Sequence, residues 1–228
     1  MSKQNTVSVI ALADQLYRDR ARPGAVKESV ASLSGLANAE RSYEAQWRLA
    51  RALFFLGQES ESNEAKRQLH AAAIGSGRRA ASINSGRVEG HFWLGVNLAL
   101  LAEASGGFKA AKAVITARRE LKRAAAISES YHAAGPLRVL GRLLHKTPWF
   151  LGGSIAQGRQ YLDRALALFP SNSVTIVYAA EAALDQGDGQ RARSLLEGLL
   201  ALSIDGEWEF EQRRDRDIAR MMLSRISG

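Results

Sequence analysis

Apolar residues recur at intervals of three and four along almost the whole chain, and Gly or Pro breaks the pattern at short intervals. That spacing gives each of a series of helices one apolar stripe. A lone amphipathic helix cannot bury its stripe, so the helices must cover one another. Leu12 and Leu16 with Tyr17 show the pattern, as do Leu49, Leu53 and Leu56. Strand patterning is nearly absent. The best candidate, VTIV at 174–177, runs straight into YAAEAALDQG, which reads as helix. Helices are expected near 6–20, 24–37, 42–56, 60–82, 89–104, 108–127, 132–145, 153–168, 171–186, 188–203 and 207–226. Gly57 is expected to close the third helix, and Ser171 to cap the ninth after Pro170.

Short connections make consecutive helices antiparallel neighbours. The stretch SVTIVYAAEAALDQGDGQRARSLLEGLLAL shows how they meet. Two helix backbones approach closely only where side chains are small, and Ala179, Ala180, Gly187 and Ala192 stand where a tetratricopeptide hairpin needs them. The expected fold is therefore all-α, a tetratricopeptide-like right-handed superhelix (α-solenoid) of about five helical hairpins. The charged amphipathic helix at 207–226 is expected to cap the end. The whole chain, 1–228, is expected to form one domain.

Composition narrows the chemistry. There is no Cys, so the chain as given has no disulfide, thiolate ligand or cysteine nucleophile. His70, His91, His132 and His145 have no metal-ligand spacing, and no phosphate loop or serine elbow occurs. No metal, cofactor or catalytic set is expected, and the protein is read as a non-enzymatic binder. The net charge of +8 admits nucleic acid as an alternative partner. A purely structural helical repeat is the other alternative. The longest apolar run, around Phe92–Ala102, is too short to cross a bilayer. The N-terminal VSVIALA runs directly into a charged helix and is read as structure. The chain is expected to be soluble, cytoplasmic as the sequence stands and periplasmic if a leader has been removed.

Three stretches carry a family resemblance: WRLARALFFLG (47–57), GHFWLGVNLALLAE (90–103), and GPLRVLGRLLHKTPWFLGGS (135–154) followed by YLDRALALFPSN. Over about residues 42–203 the chain resembles the TRAP-transporter T-component family, and more distantly the animal regulators of microtubule dynamics. The resemblance implies a tetratricopeptide-like, non-enzymatic binding protein. In bacterial members it implies an accessory protein that associates with a periplasmic substrate-binding protein and forms oligomers. The partner is then a protein or peptide, or a small apolar-acid ligand. Members also carry a lipoprotein anchor, for which this chain has no lipobox cysteine.

The third stretch interrupts the helical pattern. Pro136 is suited to the first helical position, and Pro148 forbids continuation of that helix. Gly141 and Ala165 stand further apart than the usual spacing by about five residues, which lengthens the turn between two helices. Trp149 and Phe150 lie in that turn. They either fold back over helix ends or rim a binding surface. Arg138 and Arg142 share a helix face. They either ion-pair, for example with Glu103 or Glu181, or form a guanidinium fork for an anionic ligand. Asn97, one turn after Trp93 on an apolar helix, either bonds a neighbouring backbone or faces a ligand cavity. Trp47 and Arg51 lie one turn apart, so the guanidinium could flank the indole.

Overall fold

The computed structural model describes residues 3–36, 38–105, 107–204 and 206–226. Among these are eleven α-helices and no strand. They are α1 (Lys3–Arg18), α2 (Ala25–Ser34), α3 (Tyr43–Gln58), α4 (Asn63–Ile83), α5 (Val88–Glu103), α6 (Gly107–Ile127), α7 (Tyr131–Lys146), α8 (Ile155–Leu168), α9 (Ser173–Asp185), α10 (Gly189–Ala201) and α11 (Glu209–Ile226). The chain divides into two compact units, 1–128 and 129–228. The sequence VTIV, the one strand candidate, lies inside α9.

In the first unit α1 pairs with α2, α3 with α4, and α5 with α6. Helix α5 is apolar nearly all round, and Phe92, Trp93, Leu94, Val96 and Leu98 are all buried. Its glycines set how closely it is approached. A Cβ on Gly90 would lie 2.7 Å from the Ala81 backbone nitrogen, and one on Gly77 would lie 2.9 Å from Leu94 Cα. Both positions are filled by neighbouring backbone, so α4 and α5 meet at a separation that only hydrogen permits. Gly57 does not close α3, which continues to Gln58. Instead it gives room to the His70 imidazole, whose Cε1 would stand 2.6 Å from an added Cβ.

A buried pair also ties α5 to α6. His91 Nδ1 lies 2.7 Å from Glu120 Oε2, and His91 Nε2 lies 3.1 Å from the Ser85 carbonyl. Burial pushes the Glu120 carboxyl up. Hydrogen bonds and charge from His91 and Arg119 outweigh that and hold it below its usual value of 4.5. A carboxyl with a depressed folded-state pKa stabilises the fold above its unfolded value and ceases to do so as pH falls through the folded one. The unfolding midpoint is therefore expected to drop as pH is lowered below about 4.5. In Glu120→Gln the midpoint should be lower at neutral pH and should fall less on acidification.

In the second unit α7 pairs with α8 and α9 with α10, and α11 packs on both α9 and α10. Its core joins Ile176, Ala180, Leu196 and Leu199 to Ala219 of α11. Helices α7 and α8 cross at two glycines, where a Cβ on either would come within 2.9 Å of the other's carbonyl oxygen. The residues are Gly141 and Gly158. The cap of α9 is Asn172, not Ser171: the Asn172 side chain accepts from the Thr175 amide. Gly187 turns the chain at φ 77°, and Asp188 caps α10.

Candidate functional site

The turn between α7 and α8 is built to hold two aromatic rings in water. Thr147 ends α7 with its amide on the Leu143 carbonyl, and Pro148 leads into a single 3-10 turn, Trp149–Leu151. Gly152 then adopts φ 84°, a conformation that costs glycine little. Gly153 sits against the Thr147 carbonyl, where no Cβ could be placed. Its amide donates to the Pro148 carbonyl at 3.1 Å, and the Ser154 amide donates to the Leu144 carbonyl at 2.9 Å. Ser154 also caps α8. The turn is thus stapled to the helix it leaves.

On this frame Trp149 is 84% and Phe150 68% exposed, with their rings edge to face at 6.0 Å. The tip does not fold back over helix ends. Ile155, at the start of α8, is also exposed. Exposed aromatics grouped on a rigid turn mark an interaction surface more often than scattered apolar residues do.

The other candidate residues each have partners within their own unit. Trp47 is buried, and its indole donates to Glu44 at 3.0 Å. The guanidinium nearest its ring is that of Arg48, at 4.1 Å; Arg51 is 5.0 Å from it and only 3.9 Å from the Tyr17 ring. Both arginines bond Asp14, at 2.8 and 2.7 Å. Trp93 is buried between Phe54 and Phe92. The Asn97 amide donates to the Trp93 and Ala50 carbonyls at 2.7 and 3.3 Å, and its Oδ1 lies 2.9 Å from His70 Nδ1. That carbonyl oxygen can only accept, so His70 carries its proton on Nδ1.

Arg138 and Arg142 part company despite sharing a helix face. Arg142 pairs with Glu181 and lies 4.2 Å from the Tyr178 ring. Arg138 is buried and turned back on its own chain. It donates to the Ala133 carbonyl at 2.7 Å, the His132 carbonyl at 3.4 Å and Asn172 Oδ1 at 3.3 Å. Burial lowers its pKa to about 10. The carbonyls it holds belong to an unusual segment: His132, Ala133 and Ala134 all have positive φ, between 51° and 57°. Each such residue costs about 1–2 kcal/mol for an L side chain and persists only where its surroundings fix it. The regular helix begins at Gly135–Pro136, where the sequence places it.

Beside this segment is a cleft of about 360 Å³, whose lining includes His132, Phe169, Asn172 and Trp208. The His132 and Trp208 rings stand 4.8 Å apart. Residue-by-residue reading of the sequence did not single out this cleft. The signal available was Asn172, an amide cap ahead of a helix that Ser or Asp would cap as well. Among the described residues no helix is long and apolar enough to cross a membrane, and no group of three or more His, Asp or Glu could hold a metal. The outer face of α6 is basic: Lys112, Arg119, Lys122 and Arg123 are exposed, and the helix's one acidic side chain, Glu120, is buried.

Two solved structures share the fold across nearly the whole chain. One is a thermophilic TPR protein of Thermus thermophilus, with 19% identity and TM-score 0.69, covering 94% of this chain and 98% of that one. The other is Pseudomonas aeruginosa pilF, with 18% identity and TM-score 0.59, covering 98% of this chain and 92% of that one. At these identities the likeness establishes the fold alone, an all-α tetratricopeptide-like arrangement of hairpins. No curated protein matches the sequence. The family model described as "Regulator of microtubule dynamics protein 1-3" matches residues 9–145, more than half of the chain. That span takes in WRLARALFFLG, GHFWLGVNLALLAE and the start of the third stretch, and the chain belongs to the family of regulators of microtubule dynamics 1–3.

Proposed function

We propose that the chain, acting as one domain over residues 1–228, is a non-enzymatic scaffold that binds a partner protein through the tip between α7 and α8. The observation that carries this reading is the exposure of Trp149 and Phe150 on a turn held by its own backbone bonds. Leaving two large rings in water is unfavourable by roughly 25 cal/mol for each Å² of apolar surface, and a partner that covers them recovers that free energy. A rigid tip also loses little entropy on binding.

Two partners are worth separating by experiment. The family description points to microtubules, and the resemblance to TRAP T-components points to a substrate-binding protein of a TRAP-type transport system. Polymerised purified tubulin and a purified substrate-binding protein of that class are each titrated with the chain and with Trp149→Ala/Phe150→Ala. Binding by either partner is expected to weaken at least about tenfold in the double variant, in line with aromatic anchors worth about 2 kcal/mol or more. The unfolding midpoint should stay within a degree or two, because the rings touch little of the fold. Equal binding by wild type and variant would remove the tip from the interface.

A further inference from the structure

One face of α6 gathers positive charge that the fold does not neutralise. The helix packs on α5, and Ala113, Ala117, Glu120, Leu121 and Ala124 are its buried residues. Lys112, Arg119, Lys122 and Arg123 are exposed. At 3.6 residues per turn, Lys112, Arg119 and Arg123 fall within about 40° of one another around the axis and span about 16 Å along it. Lys112 and Lys122 have no ion-pair partner among the described residues. Arg119 lies 3.0 Å and Arg123 3.9 Å from Glu120, the one carboxylate of this helix. That carboxylate is buried and also faces His91 at 2.7 Å, so its single charge offsets at most one of the two guanidinium groups. Cations held this close repel one another, and an anionic surface laid along the row relieves that repulsion.

The form of the row selects the anion. A lipid surface holds a helix that inserts an apolar face beside its charges. The apolar stripe of α6 is buried, and Ile115 and Ile127 are its exposed large apolar side chains. An acidic polypeptide loses chain entropy when it is straightened along a fixed row. A nucleic-acid duplex is already stiff over this length and carries one negative charge for about every 1.7 Å of its axis. Arginine also matches phosphate with paired N–H groups. No aromatic ring lies among the described side chains of α6, so the face offers unstacked bases no platform. We infer that the outer face of α6 binds the phosphate backbone of double-stranded nucleic acid through Lys112, Arg119, Lys122 and Arg123. Phosphate contacts carry no sequence information, so binding is without sequence preference. This surface shares no residue with the tip and stands whether or not the tip binds a protein.

The probe is a fluorescein-labelled DNA duplex of mixed sequence, titrated with the full chain at several salt concentrations and followed by fluorescence anisotropy. Contacts from all four cations predict that log Kobs falls against log salt with a slope of about −3.6. Lys112→Gln/Arg119→Gln/Lys122→Gln/Arg123→Gln is expected to weaken binding at least about tenfold at about 50 mM salt and to flatten the slope toward zero. Lys112→Gln/Lys122→Gln disturbs no ion pair, so its fold should be intact, and its slope should be about −1.8. Lys27→Gln/Arg78→Gln/Arg213→Gln/Arg220→Gln removes the same charge from exposed positions elsewhere and should bind nearly as the wild type does. Trp149→Ala/Phe150→Ala should leave duplex affinity unchanged, which keeps this result apart from that for the tip. Vesicles of equimolar phosphatidylcholine and phosphatidylserine, and poly-glutamate, are the competing anions. Four outcomes would overturn the inference. They are no duplex binding at about 50 mM salt, an unchanged slope in Lys112→Gln/Lys122→Gln, an equal loss in the charge-matched control, or tighter binding of the vesicles or of poly-glutamate than of the duplex.

Discussion

Arg138→Ala is expected to lower the stability of the second unit by about 3 kcal/mol, the range seen when a buried, hydrogen-bonded cation is removed. For a chain of this size that corresponds to a drop of roughly 6–12 °C in the unfolding midpoint. Without the guanidinium, the carbonyls of His132 and Ala133 and the Asn172 oxygen lose the donor they share. The same change removes the bonds from Arg138 to two of the three residues at positive φ. Arg138→Lys should recover little, because a single ammonium cannot span acceptors that a planar fork reaches together. Arg142→Ala is expected to cost less than about 1 kcal/mol: the Glu181 pair is part-exposed, and such pairs contribute little. If instead Arg138 served as an accessible fork for an anionic ligand, its removal would leave the midpoint nearly where it was. Thermal unfolding of the two single variants separates these cases.

The second large effect concerns the glycines at helix crossings. Gly90→Val is expected to destabilise the first unit by about 3 kcal/mol, at the upper end for overpacking in a core. The obstacle is backbone: an added Cβ would come within 3.0 Å of Ala80 C and 2.7 Å of Ala81 N, atoms that no rotamer change can move aside. Gly95 offers the contrast within the same helix. There the nearest atom to an added Cβ is Leu121 Cγ at 2.7 Å, a side-chain atom, and the nearest backbone atom, Leu121 N, is further off at 3.3 Å. Gly95→Ala should therefore cost clearly less than Gly90→Ala. Equal losses would mean that α4 and α5 are free to separate, and that small residues do not set the crossing.

How far the sequence revealed this differs between fold and site. Helices were legible because their period of three to four persists over long windows, and the Gly–Asp–Gly corner at 187–189 marks a break that few other residues can make. Boundaries were less so. Gly57 reads as a helix end by residue type, yet its role is to admit the His70 ring from α4, a tertiary contact with no local signature. At the site, Pro148 and the Gly152–Gly153 pair announced an interruption, and chemistry alone left two fates for the rings within it. Their exposure follows from the backbone bonds that draw Gly153 and Ser154 back onto α7, which residue types do not encode. Helical spacing put Arg138 and Arg142 on one face correctly. It could not show that the chain before Gly135 turns left-handed and supplies the carbonyls that capture Arg138 and leave Arg142 to Glu181. The cleft beside His132 was out of reach for the same reason, since it joins Asn172 to Trp208 across a gap in sequence that only folding closes.

The partner's contact with the tip can be read directly from tryptophan fluorescence, because Trp47 and Trp93 are buried and Trp149 is the most open of the four. The difference in acrylamide quenching between wild type and Trp149→Phe isolates the tip ring. In the free chain that ring is expected to be quenched almost as readily as a free indole. On saturation with the bound partner its quenching should fall several-fold, while the buried tryptophans do not change. A Trp149 that stays fully quenchable in the saturated complex would contradict the tip as the surface that the partner covers.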